Sequence, residues 1–394
     1  MRCVLQATVF LLALWPVGHV IGATDTQMMR SVQGAVVFET QSVPDAVQRP
    51  LQLAQNQTDD LQLGFEAHQR GDYRAAFEIW SASAERGDPG AQFFVALLYN
   101  NGEGVPQDFS LAFTWFLRAA EQGLPDAQHK VGDYLRRGFG VQIDAAEAAK
   151  WYRRAAEQGI AESQYSLAVM LANGEGVAQD YTKSAYWYWR AAEQGYAYAQ
   201  HNLGRMYFDG QGLNRDWDAA AKWLELSGEQ GFLEAQYFLG VLYLGVMDAE
   251  DQNIEQDWAK AVHWFRLAGE QGHAEAQKFA GFIYSRGGNG VEADEREGFR
   301  WTRLAAEQGL YDAQNILGAM YYRGQGVTQN LVLAYVWRRL SQQETTQEDK
   351  ISLEVEANLS QEEIALAKET IDDWRKNNPQ RAENQWPYYY IYLD

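Results

Sequence analysis

The sequence predicts an all-α fold, a right-handed α-solenoid of stacked helical hairpins. Three observations predict it. The phrase Ala-Glu-Gln-Gly or a near variant recurs with its glycine at Gly87, Gly123, Gly159, Gly195, Gly231, Gly272 and Gly309. The first four intervals are 36 residues, the fifth 41 and the last 37. A small residue and a glutamine follow each glycine at a fixed distance, from Ala91-Gln92 to Ala313-Gln314. Tryptophan precedes the glycine at a fixed distance, as Trp115, Trp151, Trp187, Trp223, Trp264 and Trp301. Trp337 extends that register once more, and Ile79 takes the place in a divergent first unit. Periods of this length mark repeats that cannot bury their apolar seam alone and must stack.

Each element of one unit follows from its residues. After Ala-Gln, apolar or small residues fall at helical spacing, as Leu203, Gly204 and Tyr207. The small residue recurs as Ala96, Gly132, Ala168, Gly204, Gly240, Gly281 and Gly318, where a neighbouring helix approaches closely. A Gly-x-Gly turn ends this first helix, as Gly174/Gly176. Asp108, Asp144, Asp180 and Asp216 then stand where a side chain caps the second helix. The second helix carries a small residue one turn before the tryptophan and Ala-Ala one turn after it, so the indole packs against small partners. The closing glycine ends the helix in a left-handed conformation.

The flanks differ from this pattern. Residues 1–23 read as an export signal, with Arg2 before the apolar stretch Val4–Pro16 and small residues at Gly22 and Ala23. Left uncleaved, that segment is the chain's one expected membrane contact. Residues 24–60 read as a flexible linker. The repeats fill 61–343, C-terminal capping helices 344–378, and an aromatic tail 379–394 that includes Trp386. Leu359-Ser360-Gln361-Glu362-Glu363 is a capping-box sequence. The tail either folds back on the solenoid or meets a partner.

Composition narrows the function. The 53 acidic and 33 basic residues give a net charge of −20, which repels nucleic acid and anionic lipid. Cys3, the single cysteine, lies within the signal, so disulfides and thiolate chemistry are not expected in the exported chain. His129 and His201 share a repeat position two units apart, too far for one metal ion. No catalytic constellation and no cofactor site emerge. The Gly-x-Gly pairs lack the context of a phosphate-binding loop. An exported chain of this kind is expected in the periplasm or outside the cell.

Aromatic residues remain as candidate partner contacts. Phe93, His129, Tyr165, His201 and Tyr237 share one register position on successive first helices. They either line a peptide-binding groove or pack between repeats. Trp189, Tyr196 and Tyr198 stand off the repeat pattern, so the fold alone does not demand them.

Taken together, A-Q-x-x-L-G-x-x-Y, G-x-G-V, D-x-x-x-A-x-x-W and A-A-E-Q-G resemble Sel1-like repeats, relatives of the tetratricopeptide repeat, over 61–343. Opening on Gly71-Asp72-Tyr73-Arg74-Ala75-Ala76 is similar to bacterial members. The acidic insertion Asp248–Gln256 and Asn330, where other units carry Asp, depart from the pattern. The resemblance implies a non-catalytic scaffold or adaptor in the cell envelope that binds a protein or peptide through its first-helix groove. The charge favours a basic partner. Binding or secretion of envelope polysaccharide is the alternative, followed by action on host proteins. Some cysteine-rich members are linked to β-lactam hydrolysis, but this chain lacks the cysteines that staple them.

Overall fold

The computed structural model describes residues 59–245, 256–342 and 350–378. Among these residues the chain is helical apart from turns and one isolated β-bridge, Gly288 to Val291. They fall into two units that divide between Asp216 and Trp217, each an α-solenoid. The first holds α1 (Asp59–Gln69), α2 (Tyr73–Glu85), α3 (Pro89–Asn101), α4 (Phe109–Glu121), α5 (Pro125–Arg137), α6 (Ala145–Glu157), α7 (Ala161–Asn173), α8 (Tyr181–Ala192) and α9 (Ala197–Asp209). The second holds α10 (Trp217–Glu229), α11 (Leu233–Leu244), α12 (Trp258–Glu270), α13 (Ala274–Arg286), α14 (Glu295–Glu307), α15 (Tyr311–Arg323), α16 (Leu331–Ser341), α17 (Lys350–Ala357) and α18 (Gln361–Asn377). Consecutive helices pack as hairpins, and each hairpin packs on the next through neighbouring helices such as α4 and α5. Among the described residues no helix is long and apolar enough to cross a membrane.

The turn between the helices of a hairpin is held at both ends. Asp144 and Asp180 each accept a backbone N–H at 2.9 Å in the first turn of the second helix. Asn330 does the same for Leu333 at 2.9 Å, so its departure from Asp keeps the cap. The first helix of the third regular repeat ends at Gly174 (φ 70°), which has ordinary room for a side chain. Gly176 (φ 68°) is different: a Cβ there would lie 2.4 Å from the Ala145 carbonyl carbon. That second glycine seats the turn directly on the start of the preceding second helix.

Packing adds to one expectation from the sequence. The tryptophan's small partners include residues of the preceding hairpin. Trp264 lies over Gly228 and Trp301 over Gly269, the positions that read Ala-Ala in other units. The residue after the tryptophan fills the hairpin itself. A Cβ on Gly132 would come within 2.5 Å of the Tyr152 ring, and one on Gly240 within 2.5 Å of Phe265. Two adjacent large side chains therefore plug two different seams.

The two glutamines of each repeat form a ladder that carries the stacking further. Gln92 Nε2 donates to the Ala84 carbonyl of the preceding hairpin at 3.1 Å, and its Oε1 accepts from Gln122 Nε2 at 2.8 Å. Gln128 repeats the pattern with Ala120 (3.1 Å) and Gln158 (2.9 Å), and Gln164 with Ala156 (3.3 Å) and Gln194 (2.7 Å). In the second unit Gln236 and Gln277 do the same with Gln271 and Gln308, both at 2.8 Å. Each of these carbonyls already accepts the backbone N–H of the closing glycine, as Ala84 does from Gly87 at 3.0 Å, so the amide adds a second hydrogen bond that crosses between hairpins. Gln314 donates to Ala306 at 3.3 Å, but its buried Oε1 has no donor among the described residues. The residue that would supply one, seven after Trp337, is Glu344, whose carboxylate only accepts.

The last hairpin is covered by α17 and α18. Val355, Ala367 and Ile371 close a core with Ala334, Tyr335 and Leu340, and Trp374 meets Trp337 edge-on at 6.4 Å. Ser360 and Glu363 make both halves of the capping box at the start of α18.

Candidate partner-binding face

The fifth residue of each first helix has a different fate along the array. Phe93 is 8% exposed and packs on Phe116 at 5.5 Å, so it belongs to the hairpin core. His129 is 5% exposed and places Nε2 at 3.3 Å from an Asp133 oxygen, an ion-pair distance without hydrogen-bond alignment. Tyr152 donates its hydroxyl to the other Asp133 oxygen at 3.2 Å. Burial pushes the Asp133 carboxyl up, but His129 and Lys130 outweigh it and hold the group below its usual value. His201 is half-buried, and burial together with Arg205 pushes its imidazole down to about 4. Tyr237, in the second unit, stacks on His273 at 4.3 Å and 22°. Burial lowers the His273 pKa against the pull of Glu275 and Glu234, and its Nδ1 caps α13 by accepting from Ala276 at 3.2 Å.

Tyr165 stands apart from these. Its ring lies 5.3 Å from Tyr196, 5.9 Å from Tyr198 and 5.7 Å from Tyr188. Tyr196 and Tyr198 are 5.7 Å apart. Tyr188 is buried, Tyr165 and Tyr196 are half-buried, and Tyr198 is 50% exposed. The local fold explains the meeting. Tyr165 points from α7, Tyr196 takes the N-cap position of α9, and Tyr198 sits in the first turn of α9. Stacking of one repeat on the next brings together side chains 31 to 33 residues apart. Burial and the nearby Glu162 carboxylate push the Tyr196 phenol up.

Trp189 is half-buried beside Tyr186 at 6.3 Å, with its Nε1 buried and without an acceptor. Trp386 lies outside the described residues, as do the export signal, most of the acidic insertion and the tail. Two side chains of this face escaped the sequence reading. Lys130 is the one charged residue at its register position, where other repeats carry Phe94, Ser166, Asn202, Phe238, Phe279 and Ile316. Burial lowers its pKa against the pull of Asp133, Asp126 and Glu162. Glu162 itself escaped because acidic residues recur at that position, as Asp126, Glu234, Glu275 and Asp312. Tyr198 replaces the acid in its repeat.

Comparison with known proteins agrees with the hairpin register. The family described as Sel1 repeat matches eight successive segments, residues 61–88, 89–124, 125–160, 161–196, 197–232, 233–273, 274–310 and 312–338. A solved Sel1 repeat protein from Oxalobacter formigenes is 32% identical, with a TM-score of 0.51 over 62% of this chain and 98% of its own. The structure of c5321, a protective antigen of uropathogenic Escherichia coli with an SLR fold, is 26% identical. It covers 89% of this chain and 100% of its own at a TM-score of 0.35. No curated protein matches the chain. Eight matched repeats, seen as helical hairpins, make this chain a member of the Sel1 repeat family.

Proposed function

We propose that the chain is a non-catalytic scaffold, exported to the cell envelope, that binds a protein partner along the first-helix face of its first unit. Proteins built from Sel1 repeats are generally interaction scaffolds, which supports the coarse reading. The observation that carries the finer one is the partly exposed cluster of Tyr165, Tyr196 and Tyr198, in which Tyr198 stands where most repeats carry an acid. Aromatic side chains at an exposed face are the usual anchors of protein interfaces. Their faces also suit sugars, so binding of envelope polysaccharide is the second reading. Export rests on the pattern of Arg2 and Val4–Pro16.

Affinity capture with the full exported chain tests the proposal, with soluble glycans tested in parallel by fluorescence quenching. Specific enrichment of a protein supports the scaffold; quenching by glycans with no protein enriched favours the second reading. Fractionation of cells tests the compartment, and recovery only in the cytoplasm contradicts export.

A further inference from the structure

We infer that Tyr165, Tyr196 and Tyr198 form an aromatic seat for a cationic side chain, an arginine or lysine presented by an extended basic segment of the partner. The inference rests on the scaffold reading and names the chemistry its face selects. Three observations carry it.

The first is geometry. The three ring centroids form a nearly equilateral triangle with sides of 5.3, 5.9 and 5.7 Å, and the rings are tilted to one another by 55°, 57° and 36°. A guanidinium or ammonium above such a triangle lies within about 6 Å of every ring, the range in which ring quadrupoles attract a cation. Tyr198 supplies an open edge, being 50% exposed, while the buried Tyr188 backs Tyr165 at 5.7 Å.

The second is charge. Glu162, partly exposed, and the buried Asp133 both act on Tyr196, and Asp126 acts with them on the neighbouring Lys130. Lys130 offsets one of them, and His129 pairs with Asp133 at 3.3 Å. Arg137 also acts on Lys130 and Asp133, and Arg136, which acts on Tyr165, is bound by Glu175 through contacts of 2.7 and 2.6 Å. The balance at the rim is therefore negative, as is the whole chain at −20. An acidic segment would meet repulsion from both.

The third is that the repeat does not need Tyr198. The N-cap position of Tyr196 is apolar or aromatic in most other repeats, as Leu124, Ile160, Phe232, His273 and Leu310, whereas the position of Tyr198 is acidic in most repeats. The Tyr198 ring, half exposed, is the addition that completes the triangle.

The test measures binding of hexa-arginine, hexa-citrulline and a soluble neutral glycan to the full chain by calorimetry at 0.15 M salt. Citrulline keeps the shape of arginine and removes its charge. Tyr198→Ala leaves the net charge unchanged, so any loss reports the ring and not the long-range field. Hexa-arginine is expected to bind wild type and to weaken about fivefold with Tyr198→Ala. Tyr198→Phe, which keeps the ring, is expected to stay within about twofold, and Glu162→Gln to weaken binding. Circular dichroism establishes that each variant is folded, and Tyr198→Phe with Glu162→Gln decides the matter if Tyr198→Ala is not. Equal binding of hexa-arginine and hexa-citrulline, undiminished binding by folded Tyr198→Ala, or binding of the glycan alone would overturn the seat. Partner capture by wild type and Tyr198→Ala alike would retain the scaffold and reject the seat, whereas no capture by wild type rejects the scaffold itself.

Discussion

At the scale of single residues, burial holds the His201 and His273 imidazoles below their ordinary value. His201 shows the consequence most clearly. Its folded-state pKa of about 4 lies below the usual 6.5, so the fold prefers the neutral ring. As pH falls, the unfolded chain takes up this proton first. The stability tied to His201 is therefore complete above pH 6.5 and drains away between 6.5 and 4. The expected steepest slope is about 1.4 kcal/mol per pH unit. Urea unfolding of wild type and His201→Gln across that window checks it: the difference between the two should change with pH, and parallel curves would contradict the assignment. His273 adds in the same direction, because protonating Nδ1 removes the acceptor that caps α13.

At the scale of the helical element, the two glycines of one turn do different work and should fail differently. Gly174→Ala places a methyl in ordinary space and costs only the left-handed strain, about 1 to 2 kcal/mol. Gly176→Ala adds a clash with the Ala145 backbone, which cannot swing aside as a side chain would, for a total of about 3 kcal/mol or more. Chemical unfolding of the two variants should separate them by well over 1 kcal/mol. Much at this scale was legible in the sequence. The 36-residue period, the Gly-x-Gly turn and the Asp caps each follow from local chemistry at fixed spacing. What was hidden needed distance. Gln92 and Gln122 lie 30 residues apart, and nothing in the string says that one donates to the other while the first reaches back to Ala84. The tryptophan's partners were hidden for the same reason, since Gly228 and Trp264 belong to different hairpins. Of the candidate face, the string gave Tyr165 in one pattern and Tyr196 and Tyr198 in another. Only stacking joins them, and it leaves Phe93 and His129 within the packing.

At the scale of the whole molecule, stability is spread along the array, because hairpins touch chiefly their sequence neighbours. Superimposed on this local bonding is the mutual repulsion of a chain with net charge −20. Exposed pairs such as Arg300–Glu297 contribute only a few tenths of a kcal/mol each, so screening them costs little. Screening the net repulsion gains more. Raising sodium chloride from 0.05 to 0.5 M is therefore expected to raise the thermal midpoint by about 3 °C. A midpoint that falls instead would show that the ion pairs outweigh the repulsion.

The glutamine ladder also bears on how such a chain acquires its length. Each regular repeat brings its own acceptor and its own donor, as Gln128 and Gln158 do, and leans on a carbonyl that the repeat before it already offers. A gene segment copied in tandem in multiples of this period would thus insert a finished rung, with no amide orphaned and no neighbour needing to mutate in step. A copy of any other length would break the rung it interrupts. The register stops at Glu344, which stands in the sequence where earlier repeats carry the donating glutamine.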